Sequence, residues 1–453
     1  MKIRKSIKLL PLLSATILPI ALVSCVQTTD PNLSKAYQEK NFFNLRPRIV
    51  LSDNESDGVI QALEKSIDNF VQAENNVENT NFQRPESKLW FKYYNDKDPE
   101  RDEKNKKELD DNIKSDLKKY NIFFIQDDFD YSKFRTWLTD QFPNTTPLWN
   151  ELHRSLFFPI NPNINNISSV LWDQIADTQE FVAPIFIKSQ DPNWIAGYAS
   201  AAYLASKYPK DDFRRKISFI LNSKHKSQTN NLVGFLAGVA TWNDQHEDQM
   251  VKINNRNDQI FIYSPGNDQA TIQNKIKQIV SPDNSQYHSE LIFVASPDLN
   301  NFVSKELTQG QKVVYNDFSD NNLNSLMTIK QDLNQFIYDL LSDIYTKKKG
   351  TPESKILKSK QAPQQILMHL LLNYDKAKDN DNLNSKYFKF KANKEFEPFL
   401  DQAKQQYLKE PVQQDISFSD RSLSPQGKAA QINETDQAKI QFRIQEILKD
   451  LQS

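Results

Sequence analysis

One cysteine, eight glycines and five histidines in 453 residues remove several kinds of chemistry at the outset. A single thiol, Cys25, allows no intrachain disulfide and no multi-thiolate metal site. His153, His225, His246, His288 and His369 show no H-x-x-x-H or related spacing, so no metal centre is expected. No G-x-S-x-G, P-loop or ligand cluster occurs, so the chain is not expected to be an enzyme and no cofactor is expected. Positive charge is not in excess either, with 57 Lys+Arg against 58 Asp+Glu, which argues against a nucleic-acid partner. Scarce glycine beside abundant Asn, Gln, Lys and Asp reads as AT-rich coding bias rather than disorder. The 28 Phe and 16 Tyr supply ample core, and the length supports two lobes plus tails.

What is present begins with the placement of Cys25. Lys2, Arg4, Lys5 and Lys8 form a basic start, and Leu9 to Leu22 is an apolar run broken by Pro11 and Pro19. That run is too short and too interrupted to span a bilayer, and it reads as a signal peptide over 1–24. Leu22-Val23-Ser24-Cys25 is the bacterial lipobox pattern, in which the thiol receives a diacylglycerol and becomes the new N-terminus. Acyl chains at about 0.8 kcal/mol per buried CH₂ would hold the protein on the outer face of a cell membrane. Without residues 1–24, Lys+Arg falls from 57 to 53 against 58 acids, a net charge near −5.

Beyond a polar spacer over 25–45, short apolar runs alternate with helical patterns. Strands are expected over 48–52, 89–94, 121–125, 185–187, 216–221, 260–263, 291–295 and 312–315. Between them, helices are expected over 57–72, 103–119, 131–141, 193–207, 230–242, 269–280 and 300–307. Near-continuous apolar strands separated by amphipathic helices predict an α/β fold with parallel sheets covered on both faces. The expected division is an N-terminal lobe over 46–188, a C-terminal lobe over 189–324 and a crossover helix over 325–346 returning to the first lobe. A C-terminal extension over 347–453 follows, its final helix at 436–451. No internal repeat is evident. Trp194 and Trp242 are expected to pack in the core.

Asp191-Pro192-Asn193-Trp194-Ile195-Ala196-Gly197-Tyr198-Ala199 resembles an E-G-x-aromatic-L-A-G segment. Further pieces follow in order: Lys216-Ile217-Ser218-Phe219-Ile220, Gly234-Phe235-Leu236-Ala237-Gly238, Leu291-Ile292-Phe293-Val294-Ala295, Val313 to Asp320, and Leu326-Met327-Thr328-Ile329-Lys330. In that order and spacing they resemble the basic membrane protein family, lipoprotein substrate-binding components of ABC importers, typically for nucleosides. The resemblance covers roughly residues 46–345 and implies the two-lobed periplasmic-binding-protein type I fold. It also implies a ligand clamped by Asp317 and Lys330, with Asp53 and Asp57 contributing from the first lobe. Several family positions are changed: a Gly-Gly pair becomes Leu221-Asn222, a glycine-rich turn becomes Ser296-Pro297-Asp298, and a stacking aromatic falls on Gly266. Side chains in place of glycine reshape a cleft, because glycine lets backbone approach a ligand closely.

Two functions are therefore expected. One is a lipid-anchored extracytoplasmic solute-binding protein that closes on a small polar ligand, nucleoside-like by the family's pattern, and docks on an ABC permease. The other is a surface lipoprotein that uses the same scaffold to contact a protein partner.

Overall fold

The computed structural model describes residues 45–51, 58–78, 82–90, 99–126, 155–160, 185–187, 189–222, 226–254, 259–261, 268–282, 287–308, 310–318, 325–346, 366–368 and 387–409. In the first half, β1 (Pro47–Leu51), α1 (Gly58–Glu78), β2 (Glu86–Leu89), α2 (Pro99–Lys119), β3 (Ile122–Ile125), β4 (Leu156–Pro159) and β5 (Ile185–Ile187) follow one another. β1 to β4 form a sheet of order β2-β1-β3-β4 in which every pairing is parallel. A parallel bridge from Ile160 to Ile185 leads on to β5, which pairs with β12 (Ile366–Met368).

The second half runs α3 (Gln190–Lys207), β6 (Lys216–Asn222), α4 (Lys226–Gln245), β7 (Lys252–Ile253), β8 (Ile260–Phe261), α5 (Gln269–Val280), β9 (Leu291–Val294), α6 (Asn300–Glu306), β10 (Lys312–Asp317) and β11 (Met327–Gln331). α7 (Leu333–Thr346), β13 (Phe388–Ala392) and α8 (Glu397–Lys409) complete it. The sheet order is β13-β11-β10-β9-β6-β7, with β8 also on β6; β13 alone runs antiparallel, along β11. The α/β class with parallel sheets flanked by helices is thus present as expected.

Burial explains why these segments are strands. All four residues of β3 and all four of β9 are buried, as a strand covered by helices on both faces requires. On the β9 sheet, Phe219, Phe293 and Val314 pack toward α3 and α4. Ile220, Ile292, Val294 and Tyr315 pack toward α5 and α6. α5 starts where Asp268 accepts the Thr271 backbone N–H at 2.6 Å, an N-cap that satisfies one orphan donor. α7, leaving the second sheet, packs on α1 of the first: the Phe70 and Tyr338 rings lie 5.4 Å apart, and Asn69 bonds Asn334 at 3.0 Å.

Several elements differ from the sequence expectations. β2 occupies 86–89, earlier than the 89–94 expected, and residues 91–94 lie outside the described set. It is an edge strand whose Glu86 and Ser87 are exposed, so its own sequence is polar and a search for apolar runs passes over it. Residues 327–331, read as the lead into a helix, are a strand held between β10 and β13, and the helix starts at Leu333. Thr328 and Ile329 are β-branched, and sheet pairing on both sides outweighs the helical pattern downstream. α1 continues to Glu78, six residues beyond its expected end at Gln72. The helices expected over 131–141 and 436–451 lie outside the described residues.

Candidate functional site

Both sheets begin at an interior strand, step outward to one side, then return to the other side of the starting strand. Such a reversal splays the connections apart and opens a crevice beyond the strand C-termini. In the second sheet the reversal falls between β6 and β9, so the crevice is bounded by Asn222, the residues after Val294, and the first turn of α4.

The residues there are polar and hydrogen-bonded to one another. The Asn222 backbone N–H donates to Ser296 Oγ at 2.7 Å, and Asn222 Nδ2 donates to Asp298 Oδ2 at 3.2 Å. These are the positions at which the resemblance leads one to expect glycines. Their side chains tie the end of β6 to the turn after β9 and occupy space that glycine would leave open. Next to them, Asn300 Nδ2 donates to the Asn316 carbonyl at 2.7 Å, while Asn300 Oδ1 is buried with no partner among the described residues.

On the α3–α4 side lies a buried carboxamide network. Asn316 Nδ2 donates to Asn193 Oδ1 at 2.9 Å, and Asn193 Nδ2 donates in return to Asn316 Oδ1 at 3.1 Å. Gln331 Nε2 bridges Asn231 Oδ1 and Asn316 Oδ1 at 3.3 and 3.2 Å, and Asn231 Nδ2 donates to the Ala295 carbonyl at 2.7 Å. Four amide side chains from two strands and two helices are thereby locked in one arrangement. Gln228 stands one turn before Asn231 on α4, and i,i+3 residues share a helix face. Side chains also lean toward the helix N-terminus, which puts Gln228 on the crevice side of the network. It is 1% exposed, and neither Oε1 nor Nε2 has a hydrogen-bond partner among the described residues.

Of the residues expected to hold a ligand, Asp317 and Lys330 are brought side by side. They are register partners at the ends of β10 and β11, so both side chains leave the same face. Asp317 is 5% exposed, and Lys330 Nζ lies 3.5 Å from Asp332 Oδ2. Asp332 also takes a 2.8 Å hydrogen bond from Lys389 Nζ. Burial alone would raise its pKa. The Lys389 bond, the Gln335 backbone N–H and the charges of Lys330 and Lys389 together outweigh burial and hold it below the usual carboxylate range. Asp332 therefore contributes stability above the unfolded carboxylate pKa of about 3.9, and the contribution is lost as pH falls through the lower folded value. Asp332→Asn is expected to lower the urea midpoint at pH 6, and its deficit against wild type is expected to shrink as pH falls below about 3.9.

Asp53, Asp57 and Cys25 lie outside the described residues. Trp194 and Trp242 are buried core residues, stacked on Tyr198 and on His246 respectively. Sequence reasoning passed over Gln228 and the Asn193–Asn231–Asn316–Gln331 network. The available signal was an amide ending an otherwise apolar strand, as in Val313-Val314-Tyr315-Asn316. No group of acids, histidines or cysteines among the described residues could hold a metal ion. No helix among them is long and apolar enough to cross a membrane.

No family model and no curated protein matches the chain. Among solved structures, it is similar to an ABC transporter system solute-binding protein from Aeropyrum pernix K1. The identity is 8% over 90% of this chain and 87% of that one, with a TM-score of 0.43. It is also similar to a carbohydrate transporter from Acidothermus cellulolyticus 11B in complex with myo-inositol, at 13% identity, 68% and 89% coverage and a TM-score of 0.37. A LacI family transcription regulator from Clostridium acetobutylicum aligns at 10% identity over 71% of this chain and 96% of that one, with a TM-score of 0.38.

Proposed function

We propose that this chain is a solute-binding protein, diverged from the basic membrane protein pattern, that takes a small uncharged polar ligand at the crevice between β6 and β9. It works by binding and closure without covalent chemistry. The lipobox at Cys25 anchors it to the extracytoplasmic face of the cell membrane, where it delivers solute to an ABC permease. The observation that carries the reading is Gln228. A buried amide left without hydrogen bonds costs about 1–3 kcal/mol, and a ligand offering one donor and one acceptor would remove that cost. The locked amide network beside it holds the floor of the crevice rigid, which lowers the entropy a ligand must overcome on binding. Nucleosides and sugars both present such donor–acceptor pairs, and the resemblance favours a nucleoside. Asp317 and Lys330, adjacent at the strand ends, are the charged pair that would orient its hydroxyls.

The test is thermal shift of the protein against nucleosides, nucleobases, sugars and amino acids. A ligand at 100 times its Kd adds about 2.7 kcal/mol of stability. Asp317→Ala is expected to abolish the response. Gln228→Leu is expected to abolish it as well, yet to raise stability by about 1 kcal/mol without ligand, since the unpaired amide is gone. A cooperatively folded sample that answers to nothing in the panel, and that Gln228→Leu destabilises, would sink the reading.

A further inference from the structure

A second cavity lies at the opposite edge of the first sheet and plays no part in the solute site. Arg46 precedes β1, Gln83 and Arg84 precede β2, Glu86 begins β2, Lys118 and Lys119 end α2, and Tyr120 follows them before β3. Together they line a cup of about 600 Å³ at the N-terminal ends of three parallel strands. Backbone hydrogen bonds hold its rim: Gln83 N–H to the Leu45 carbonyl and Asn121 N–H to the Arg46 carbonyl, each 3.0 Å.

The charges in this cup do not balance. Its one acid, Glu86, is already engaged by Arg48 Nη1 at 3.3 Å and by the Tyr120 hydroxyl. Burial first, and then the bond to Glu86, push the Tyr120 pKa up to about 12, so it remains a neutral donor to Glu86. Among the described residues Arg84, itself exposed, has one ion-pair partner, the half-buried Asp68 at 3.3 Å, and a pair with one long exposed side chain is weak and easily exchanged. Arg46, Lys118 and Lys119 have no ion-pair partner among the described residues, and Arg46 Nε is buried without a hydrogen bond. The dipole of α2 favours cations in its last turn, which accounts for Lys118 and Lys119. It does not account for Arg46 and Arg84, which come from other segments. Four cations converging on one concavity, in a chain expected to be acidic after processing, repel one another unless an anion is present.

We infer that this cup is a binding site for a phosphate group, with Arg46 and Arg84 supplying planar forks and Lys118 and Lys119 point charges. Phosphate in reach of the cup has two sources: the headgroups of anionic lipids, or a free phosphorylated solute. Headgroups fit the position. Arg46 follows Cys25 by 21 residues, so the expected anchor lies no more than about 70 Å of chain from the cup. Docked this way, the cup adds an electrostatic contact to the lipid anchor, at the end of the molecule away from the strand C-termini.

The experiment compares the full chain with Arg84→Gln/Lys118→Gln/Lys119→Gln and with a control of equal charge change, Lys210→Gln/Lys277→Gln/Lys305→Gln. The control lysines are exposed and lie on the second half of the fold. Binding is measured to phosphatidylcholine vesicles with and without one-quarter phosphatidylglycerol, and to glycerol phosphate by calorimetry. The basic start at Lys2, Arg4, Lys5 and Lys8 also favours the anionic vesicles, but it does so equally in all three proteins, so the change in that preference from wild type to variant reports the cup. That preference is expected to fall about 100-fold in the cup variant, a factor of about five per cation removed, and to change little in the control. Loss confined to vesicles assigns the site to the membrane surface, and loss confined to glycerol phosphate assigns it to a free solute. Equal loss in both variants, or binding of neither probe by the wild type, overturns the inference. The solute-site thermal shift is independent of this result, so each can fail alone.

Discussion

Gly238→Ala is expected to destabilise the protein by about 3 kcal/mol, although alanine is the better helix former by about 1 kcal/mol. α3 and α4 cross so closely that three of the eight glycines in the chain face the opposing backbone. A Cβ on Gly238 would stand 2.1 Å from the Trp194 carbonyl oxygen. One on Gly197 would stand 2.0 Å from that of Phe235, and one on Gly234 would stand 2.3 Å from that of Gln190. No rotamer relieves a clash between a Cβ and a main-chain oxygen, so the helices must separate. Separation would open the packing of Phe235 on Phe293, whose rings stack at 3.8 Å, and would pull Asn193 from Asn231. Gly197→Ala should behave the same way. Gly310→Ala is the comparison: nothing lies within 4 Å of its Cβ position, and only its φ of 96° resists a side chain, for about 1 kcal/mol. Urea denaturation of the three variants decides the matter. A neutral or stabilising Gly238→Ala would show that the helices do not cross at this distance.

Asp116→Ala should cost about 4 kcal/mol, for a different reason. Asp116 is 1% exposed and its two oxygens serve two buried donors: Arg48 Nη2 at 2.9 Å and Trp90 Nε1 at 2.8 Å. The Arg48 guanidinium also sits over the Tyr120 ring, 3.8 Å from its centroid, so it cannot swing out to water without losing that contact. Removing the carboxylate leaves the buried guanidinium only Glu86, at 3.3 Å, and takes from the buried indole N–H its 2.8 Å acceptor. Breaking one side of a buried pair is far more costly than replacing the pair, so Arg48→Met/Asp116→Leu should recover most of the loss. Chemical denaturation of the single and double variants checks this. A double variant as unstable as Asp116→Ala alone would place the cost in packing rather than in charge.

Most of the second sheet could be read along the chain, because its strands are continuous apolar runs and its helices have one apolar face. α5 was expected over 269–280 and occupies those residues, between the Asp268 cap and Ser281. β6, β9 and β10 appear within two residues of expectation. β2 was misplaced, since an edge strand has little apolar pattern to show. In the region set apart as an extension, β13 joins the second sheet along β11, and β12 pairs with β5 in a two-stranded sheet. Asp317 and Lys330 were named from a motif, and their adjacency followed only once β11 proved to be a strand beside β10.

Local chemistry supplied the α/β alternation before any folding was considered, together with two expectations, the lipobox pattern and the candidate acid–lysine pair. Each depends on residues close together in the chain, where spacing and side-chain type are sufficient. Tertiary structure alone decided the rest. No repeat is visible in the amino acids, yet both sheets reverse at their first strand, because strand order is set by crossover handedness and burial rather than by residue identity. Gln228, Asn193 and Asn316 are unremarkable in a chain rich in amides. Their burial follows from two glycine-spaced helices closing on a sheet, which brings Asn193 and Asn316 within hydrogen-bond distance and buries Gln228 one turn before Asn231.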